Sequence, residues 1–363
     1  MRNFKTFISF LLLILVMFTT QNTFAGGGNN DGGEFSPTDL INSHIGDSHE
    51  FHVFGEGDSS VSIPLPVILW TSEGLKVFSS SKFHHNNDGT EVVKEGNLEL
   101  VRYKEIIFYK DKFDLLSETD KKEMALPFNF ELRPLDFSIT KLVFSMLLSV
   151  VLLILIFFTV AKSYNKNDKA PKGLAGFMEP LVLYVRDEIA IPNIGHKKYA
   201  KFLPYLLTVF FFVWINNLIG LIPFFPFSSN LTGNIFFTFV LAFITFIITN
   251  VNGNRDYWAH ILVPPVPTPL YIIMWPVEII GIFTKPFALM VRLFANITAG
   301  HIIILSLVSL IFIFKSVFIA PVSGLFVLFM SVLEMLVAFL QAYVFTLLSA
   351  LFIGQAVAEH DHH

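Results

Sequence analysis

Arg292, Asn296, His301, Glu334 and Gln341 are polar or ionisable side chains set into otherwise apolar sequence, and between them they supply the fixed charge, donors and proton-exchanging groups that moving an ion requires. Arg292 stands in the run Pro286 to Phe314, where 28 of 29 residues carry no charge. A guanidinium cannot shed its proton to escape a low dielectric, and at the centre of a bilayer it costs roughly 3 kcal/mol or more. Water or a partner acid has to offset that cost. Within the last two apolar stretches of the chain the only acids are Glu278 and Glu334. The pattern points to ion translocation. Other chemistries lack their residues. There is no Gly-x-x-x-x-Gly-Lys loop to cradle phosphates, so the chain is not expected to bind or hydrolyse ATP. The string His49-Glu50-Phe51-His52 spaces its histidines at i and i+3, whereas a zincin needs i and i+4. His44, His49, His52, His84 and His85 are therefore read as solvated loop residues rather than metal ligands. With no cysteine, a thiolate metal site, a thiol nucleophile and a disulfide are all excluded. No cofactor, no metal and no nucleic-acid partner is expected, and the chain is not expected to be an enzyme by itself.

The elements that must hold these residues follow from composition. Hydrophobic residues make up 53% of the chain and charged ones 15%, with 42 Phe among 363 residues, which marks a polytopic membrane protein. Leu142 to Ala161 supplies one uncharged span of about 30 Å. Spans are also expected over about 202–223 and 235–251. Further on, 270–314 and 321–355 are apolar over about 68 and 53 Å if helical at 1.5 Å per residue, well beyond a hydrocarbon core of about 30 Å. Such helices must tilt, kink at Pro276 or the Lys285-Pro286 step, or follow something in the membrane. The expected total is five crossings, within a membrane domain over 137–358 and ahead of a charged tail at 359–363.

Polar segments set the sidedness. Residues 26–136 hold 20 Asp and Glu against 10 Lys and Arg, a balance of −10; residues 162–201 hold 8 Lys and Arg against 4 acids, a balance of +4. The positive segment is expected inside and the acidic one outside. Within the positive segment, Phe177 to Val185 carries apolar residues at helical spacing and is expected to lie on a membrane surface. Arg2 and Lys5, the apolar run Ile8 to Phe18 and Thr23-Phe24-Ala25 read as a signal peptide over 1–25. After a Gly/Asn linker over 26–33, the runs Val61 to Trp70, Leu75 to Phe78 and Leu98 to Tyr109 predict a small, mainly β periplasmic module. The fold class expected is thus an all-α polytopic membrane domain preceded by that module.

Three strings then carry a family resemblance: Asn217-Leu218-Ile219-Gly220-Leu221-Ile222-Pro223; Thr284-Lys285-Pro286 with Arg292-Leu293-Phe294-Ala295-Asn296 and Ala299-Gly300; and Leu340-Gln341-Ala342-Tyr343-Val344-Phe345. Over roughly 138–360 the chain resembles the a subunit of the F-type rotary ATP synthase, in a bacterial form with an extended N-terminal ectodomain. The resemblance implies a stationary proton-channel subunit in a bacterial inner membrane, with two offset half-channels beside a ring of c subunits, and a stator b subunit and the rest of the complex as partners. By the same resemblance Arg292 faces the ring carboxylate and Gln341 steers it, with Asn296 one helical turn beyond on the same face.

The sequence departs from the family pattern at His301 and Glu334. Some members carry a carboxylate nine residues after the arginine and a histidine seven before the glutamine; here the two types are exchanged, which keeps one acid and one imidazole for the outer half-channel. Gly220 stands where some relatives have Asp, which leaves Asn217 as the wall residue. Glu278 lies eight residues before Pro286, where the family often has a glutamate. Two other functions compete. A proton-coupled secondary transporter would show an inverted hydropathy repeat, and none is found. A membrane-anchored ectodomain sensor would leave Arg292, His301 and Glu334 without a role.

Overall fold

The computed structural model describes residues 46–54, 61–116, 131–166, 172–222, 229–262, 267–314 and 319–358. The expected signal peptide over 1–25, His44, the linker over 26–33 and the tail over 359–363 lie outside the described residues. Two compact units make up the chain: Met1–Leu147 with Ile222–Ser229 and His301–Leu328, and Leu148–Leu221 with Asn230–Gly300 and Phe329–His363.

In the first unit lies a small β module built from β1 (Glu50–Phe54), β2 (Val61–Pro64), β3 (Pro66–Thr71), β4 (Gly74–Ser79), β5 (Asp88–Glu95), β6 (Leu98–Tyr103), β7 (Ile106–Tyr109) and β8 (Leu135–Asp136). They form three antiparallel sheets, β1-β2, β4-β3-β8 and β5-β6-β7. Period-two alternation turns Val67, Leu69 and Phe78 inward, where they meet Val93, Leu100 and Ile107 from the other three-stranded sheet. That second sheet also buries its far side, because Phe113, on a single helical turn Lys110–Phe113, covers Val101 and Phe108 with Leu116 and Leu132 packed alongside. The turn from β6 to β7 is Lys104-Glu105, both with positive φ (51° and 63°), the geometry that a two-residue hairpin of right-handed twist demands. Strands β1 and β5 add to the runs expected from sequence, since Glu-Phe-His-Val-Phe and Asp-Gly-Thr-Glu-Val-Val-Lys-Glu mix charge with β-formers.

The helices match the apolar stretches. They are α1 (Lys141–Lys166), α2 (Leu174–Tyr184), α3 (Tyr199–Leu221), α4 (Ile235–Val251), α5 (Arg255–Leu262), α6 (Thr268–Phe314) and α7 (Ile319–Val357). Beyond Tyr184, α2 continues through a π-helical turn Val185–Ala190 and a last turn Ile191–Ile194, and Gly195 at φ 90° ends it. This outruns the expected Phe177 to Val185. Helix α6 runs 47 residues, about 70 Å, and stays helical through Pro276 and Pro286; α7 runs 39, about 58 Å. Among the described residues four helices, α1, α3, α6 and α7, are long and apolar enough to cross a membrane. Counting α4 and α5, bent by 103° at their junction, as one span gives a fifth among the described residues. Alone, α4 has 17 residues, about 25 Å, which falls short of a hydrocarbon core of about 30 Å.

Candidate functional site

Helices α6 and α7 run antiparallel. The Lys285 Nζ donates to Gln355 Oε1 at 3.0 Å. Further along α6, the Gln341 amide donates to the main-chain carbonyl of Arg292 at 3.5 Å, the long limit of a hydrogen bond. Further still, a Cβ at Gly300 would come within 2.9 Å of Glu334 Oε1, so the missing side chain makes room for that carboxyl against the backbone of α6. Rising numbers in α6 thus meet falling numbers in α7. Gln341 and Glu334 are both buried, at 5% exposure each. Gln341 therefore reaches the backbone of Arg292 and fixes the spacing of the two helices at that level.

Arg292 itself points the other way. Leu289, Leu293 and Ile297 are buried, while Ala288, Arg292, Ala295, Asn296 and Ala299 are exposed along one stripe of α6. The stripe pairs one fixed cation with small side chains, so another helix backbone can approach the guanidinium closely. Among the described residues no carboxylate lies within ion-pair distance of that guanidinium. Asn296 shares the face, one turn on.

The remaining expected residues take different positions. His301 is half-buried on α6, immediately after Gly300, and belongs to the first unit, whereas Arg292, Asn296, Glu334, Gln341, Glu278 and Asn217 belong to the second. Glu278 is half-buried with Oε1 3.9 Å from His260 Nδ1 of α5. Asn217 is buried, and both ends of its amide are engaged: Nδ2 donates to the Ala338 carbonyl at 3.1 Å, and Oδ1 accepts from the Thr232 hydroxyl at 2.6 Å. It ties α3 to α7 and to the turn Leu231–Gly233, to which Thr298 of α6 also donates at 3.4 Å.

Sequence reasoning missed the residues that anchor the end of α7. Asn254 and Lys198 side chains both donate to the Val357 carbonyl at 2.8 Å, satisfying a carbonyl left open at the helix end. Gly354 lies so close to Asn193 that a Cβ would fall 1.9 Å from its carbonyl oxygen. A lone glycine in an apolar run was the available signal.

In the β module the solvated-loop reading of the histidines fails at His49. His49 is 3% exposed, with Nε2 3.0 Å from Asp136 Oδ2 and Nδ1 3.3 Å from Glu105 Oε2, while its backbone N–H donates to the same Glu105 oxygen at 3.1 Å. Burial opposes its charge, but the two carboxylates outweigh burial and raise the imidazole to about 10. Burial likewise works against the Glu105 anion, and the hydrogen bond from His49, with Arg102 nearby, brings its carboxyl down to about 2. Next to it Glu50 accepts from Arg102 Nη1 at 2.8 Å and from Ser62 at 2.6 Å, and meets His85 Nδ1 at 2.5 Å. His84 is exposed, and the side chain of His52 lies outside the described residues. The same corner grips the start of α1: Asp47 Oδ1 accepts from the Leu142 N–H at 3.1 Å, the Lys141 N–H donates to the Ser48 carbonyl at 2.8 Å, and the Phe51 and Phe144 rings meet edge to face at 5.5 Å. Among the described residues no group of three or more His, Asp or Glu side chains could hold a metal ion.

Comparison with known proteins places two families on the chain. One described as ATP synthase A chain matches residues 143–354, and one described as a domain of unknown function (DUF8433) matches residues 40–137. A Chloroherpeton thalassium protein named ATP synthase subunit a is 53% identical over 234 residues, covering 62% of this chain and 69% of that relative. One from Chlorobaculum tepidum named ATP synthase subunit a 2 is 50% identical over 249 residues, covering 66% and 69%. A third, an Anaeromyxobacter ATP synthase subunit a, is 46% identical over 234 residues, covering 62% and 56%.

Proposed function

The chain belongs to the ATP synthase A chain family, and from that membership we propose how its residues carry protons. It is a multi-pass membrane protein and the non-catalytic proton-channel subunit of an F-type ATP synthase. Its work is proton transfer, driven by a membrane potential worth about 2.3 kcal/mol per charge per 100 mV.

The observation that carries the mechanism is Arg292: an exposed guanidinium on an apolar helix, among small side chains, with no acid of the described chain in reach. Its partner then comes from another chain, and the c ring supplies it as a carboxyl group at mid-membrane. A positive charge within about 4 to 6 Å lowers a carboxylate's pKa by about 1 to 3 units, so a protonated ring carboxyl arriving at Arg292 releases its proton. The fixed cation also stops protons passing straight from one half-channel to the other. Glu334, seated against Gly300, serves the half-channel open to the outer side, to which the sequence pattern also assigns His301, and Glu278, near His260, serves the inner one. Asn296 extends the polar stripe, and Asn217 and Gln341 act as positioning residues for α7.

Sidedness follows from charge. The Lys-rich segment 162–201 is cytoplasmic, the module over 26–136 is periplasmic behind a signal peptide, and the C-terminus is cytoplasmic, which requires five crossings with α4 and α5 together making one. The b subunit stator and the rest of the complex hold the chain in the inner membrane. Because the protein has no cysteine, single introduced thiols report alone. Ala295→Cys should form a disulfide with a cysteine placed beside the ring carboxylate under mild oxidation. Failure at Ala295 together with success from the opposite, buried side of α6 would refute the assignment of the open stripe to the ring.

A further inference from the structure

The two three-stranded sheets of the β module differ in what covers their outer faces. The far side of β5-β6-β7 is closed by the chain's own Phe113, Leu116 and Leu132. The far side of β4-β3-β8 is not. Directly paired residues of an antiparallel sheet share a face, and the pairing places Leu75, Trp70 and Leu135 in one row. The next row is Val77, Ile68 and Phe137, the last held by its N–H donating to the Ile68 carbonyl at 2.8 Å. All six are apolar, and Trp70, Leu75 and Val77 are 57%, 57% and 60% exposed. The inward face of the same strands already carries the core, so this sheet is apolar on both sides. A patch of this kind marks an interaction surface.

What covers it is argued from where the third strand goes. Beyond Phe137, Ile139 donates to the Pro66 carbonyl at 3.1 Å, and the chain enters α1, the first described helix long and apolar enough to cross a membrane, at Lys141. Phe137 is therefore at most about 14 Å from the start of the span, and Leu135 about 21 Å, at about 3.5 Å per residue. The headgroup layer beyond the hydrocarbon is itself about 5–8 Å thick. Nor is the link loose, since Asp47, Ser48 and Phe51 grip the first turn of α1. The apolar rows thus lie within a few residues of the start of α1 and include a tryptophan, the side chain enriched at membrane interfaces. We infer that the outer face of β4-β3-β8 lies on the bilayer, with Trp70, Leu75 and Val77 in the headgroup region of the leaflet on the module's side. This makes the module a monotopic attachment as well as an appendage of a spanning helix. The inference depends on α1 crossing the membrane and is independent of the proton path.

The test uses the assembled complex in nanodiscs of phosphatidylethanolamine and phosphatidylglycerol, with a nitroxide on Leu75→Cys, on Val77→Cys, and on Lys94→Cys of β5 as the solvent reference. All three positions are exposed, so none of the substitutions disturbs the core. The oxygen-to-nickel-chelate collision ratio at 75 and 77 should exceed that at 94 several-fold. Ratios equal to that at 94 would overturn the inference, and so would labels immobilised and shielded from both reagents, which would mean that a protein covers the face. Proton pumping by the same labelled complexes keeps this outcome separate from any failure of the channel assignment.

Discussion

The β module and the helical hairpin α6–α7 treat charge set in apolar surroundings in opposite ways. In the module two buried charges are closed on their own chain: His49 sits between Glu105 and Asp136, and Arg102 lies against Glu50. In the hairpin Arg292 is left open on a face of small residues. A closed cluster positions backbone, whereas an open cation in apolar surroundings calls for a partner from outside. Charges that hold this protein together are thus closed, and the charge proposed to do its work is open.

The largest effect on the closed side should come from Arg102→Gln. It leaves the Glu50 carboxylate buried beside a neutral side chain, and breaking a buried pair in this way costs roughly 3–5 kcal/mol. Limited proteolysis of the assembled complex should then cut the module readily while proton pumping is retained. If pumping falls in step with module stability, the module belongs to the conduction path and the division between the two regions collapses.

A smaller effect should come from pH. His49 holds its proton to about pH 10 in the folded module, whereas the unfolded chain releases it near 6.5. Its contribution is therefore complete below about pH 6.5 and is lost progressively as pH rises to about 10. Amide-exchange protection of β1 and of residues 135–139 should decline from neutral to alkaline pH, and His49→Gln should flatten that profile. A wild-type profile as flat as that of the variant would show that the cluster is not closed as described.

Gly300→Ala should have the smallest structural effect. The added methyl meets the end of the Glu334 side chain, which can swing, so the strain stays within about 1–3 kcal/mol. The complex should assemble normally, with the proton-pumping rate several-fold lower. An unchanged rate would remove Glu334 from the path.

Legibility from sequence also differs between the two regions. The apolar runs 142–161, 202–223, 235–251, 270–314 and 321–355 lie in or along the helices α1, α3, α4, α6 and α7. A helix in lipid must satisfy its own backbone, so apolar length alone predicts it. Apolar length could not tell whether α4 crosses, because that depends on the 103° bend into α5. The module was legible only as β-rich, and the partners of His49, 56 and 87 residues away, leave no mark in local spacing. Arg292 stood out as the single charge in its run, but neither its open face nor the seating of Gln341 on its carbonyl could be read from types and intervals. Those depend on the register of α6 against α7, which side-chain volumes decide.

Arg292 is proposed as an open charge that gates proton exchange with a carboxylate on another chain. ATP-driven proton pumping in inverted membrane vesicles carrying Arg292→Ala tests it most directly, paired with passive proton conductance after the soluble head is stripped. The complex should assemble normally, with no pumping and a passive leak equal to or above wild type. Full pumping by that variant would contradict it.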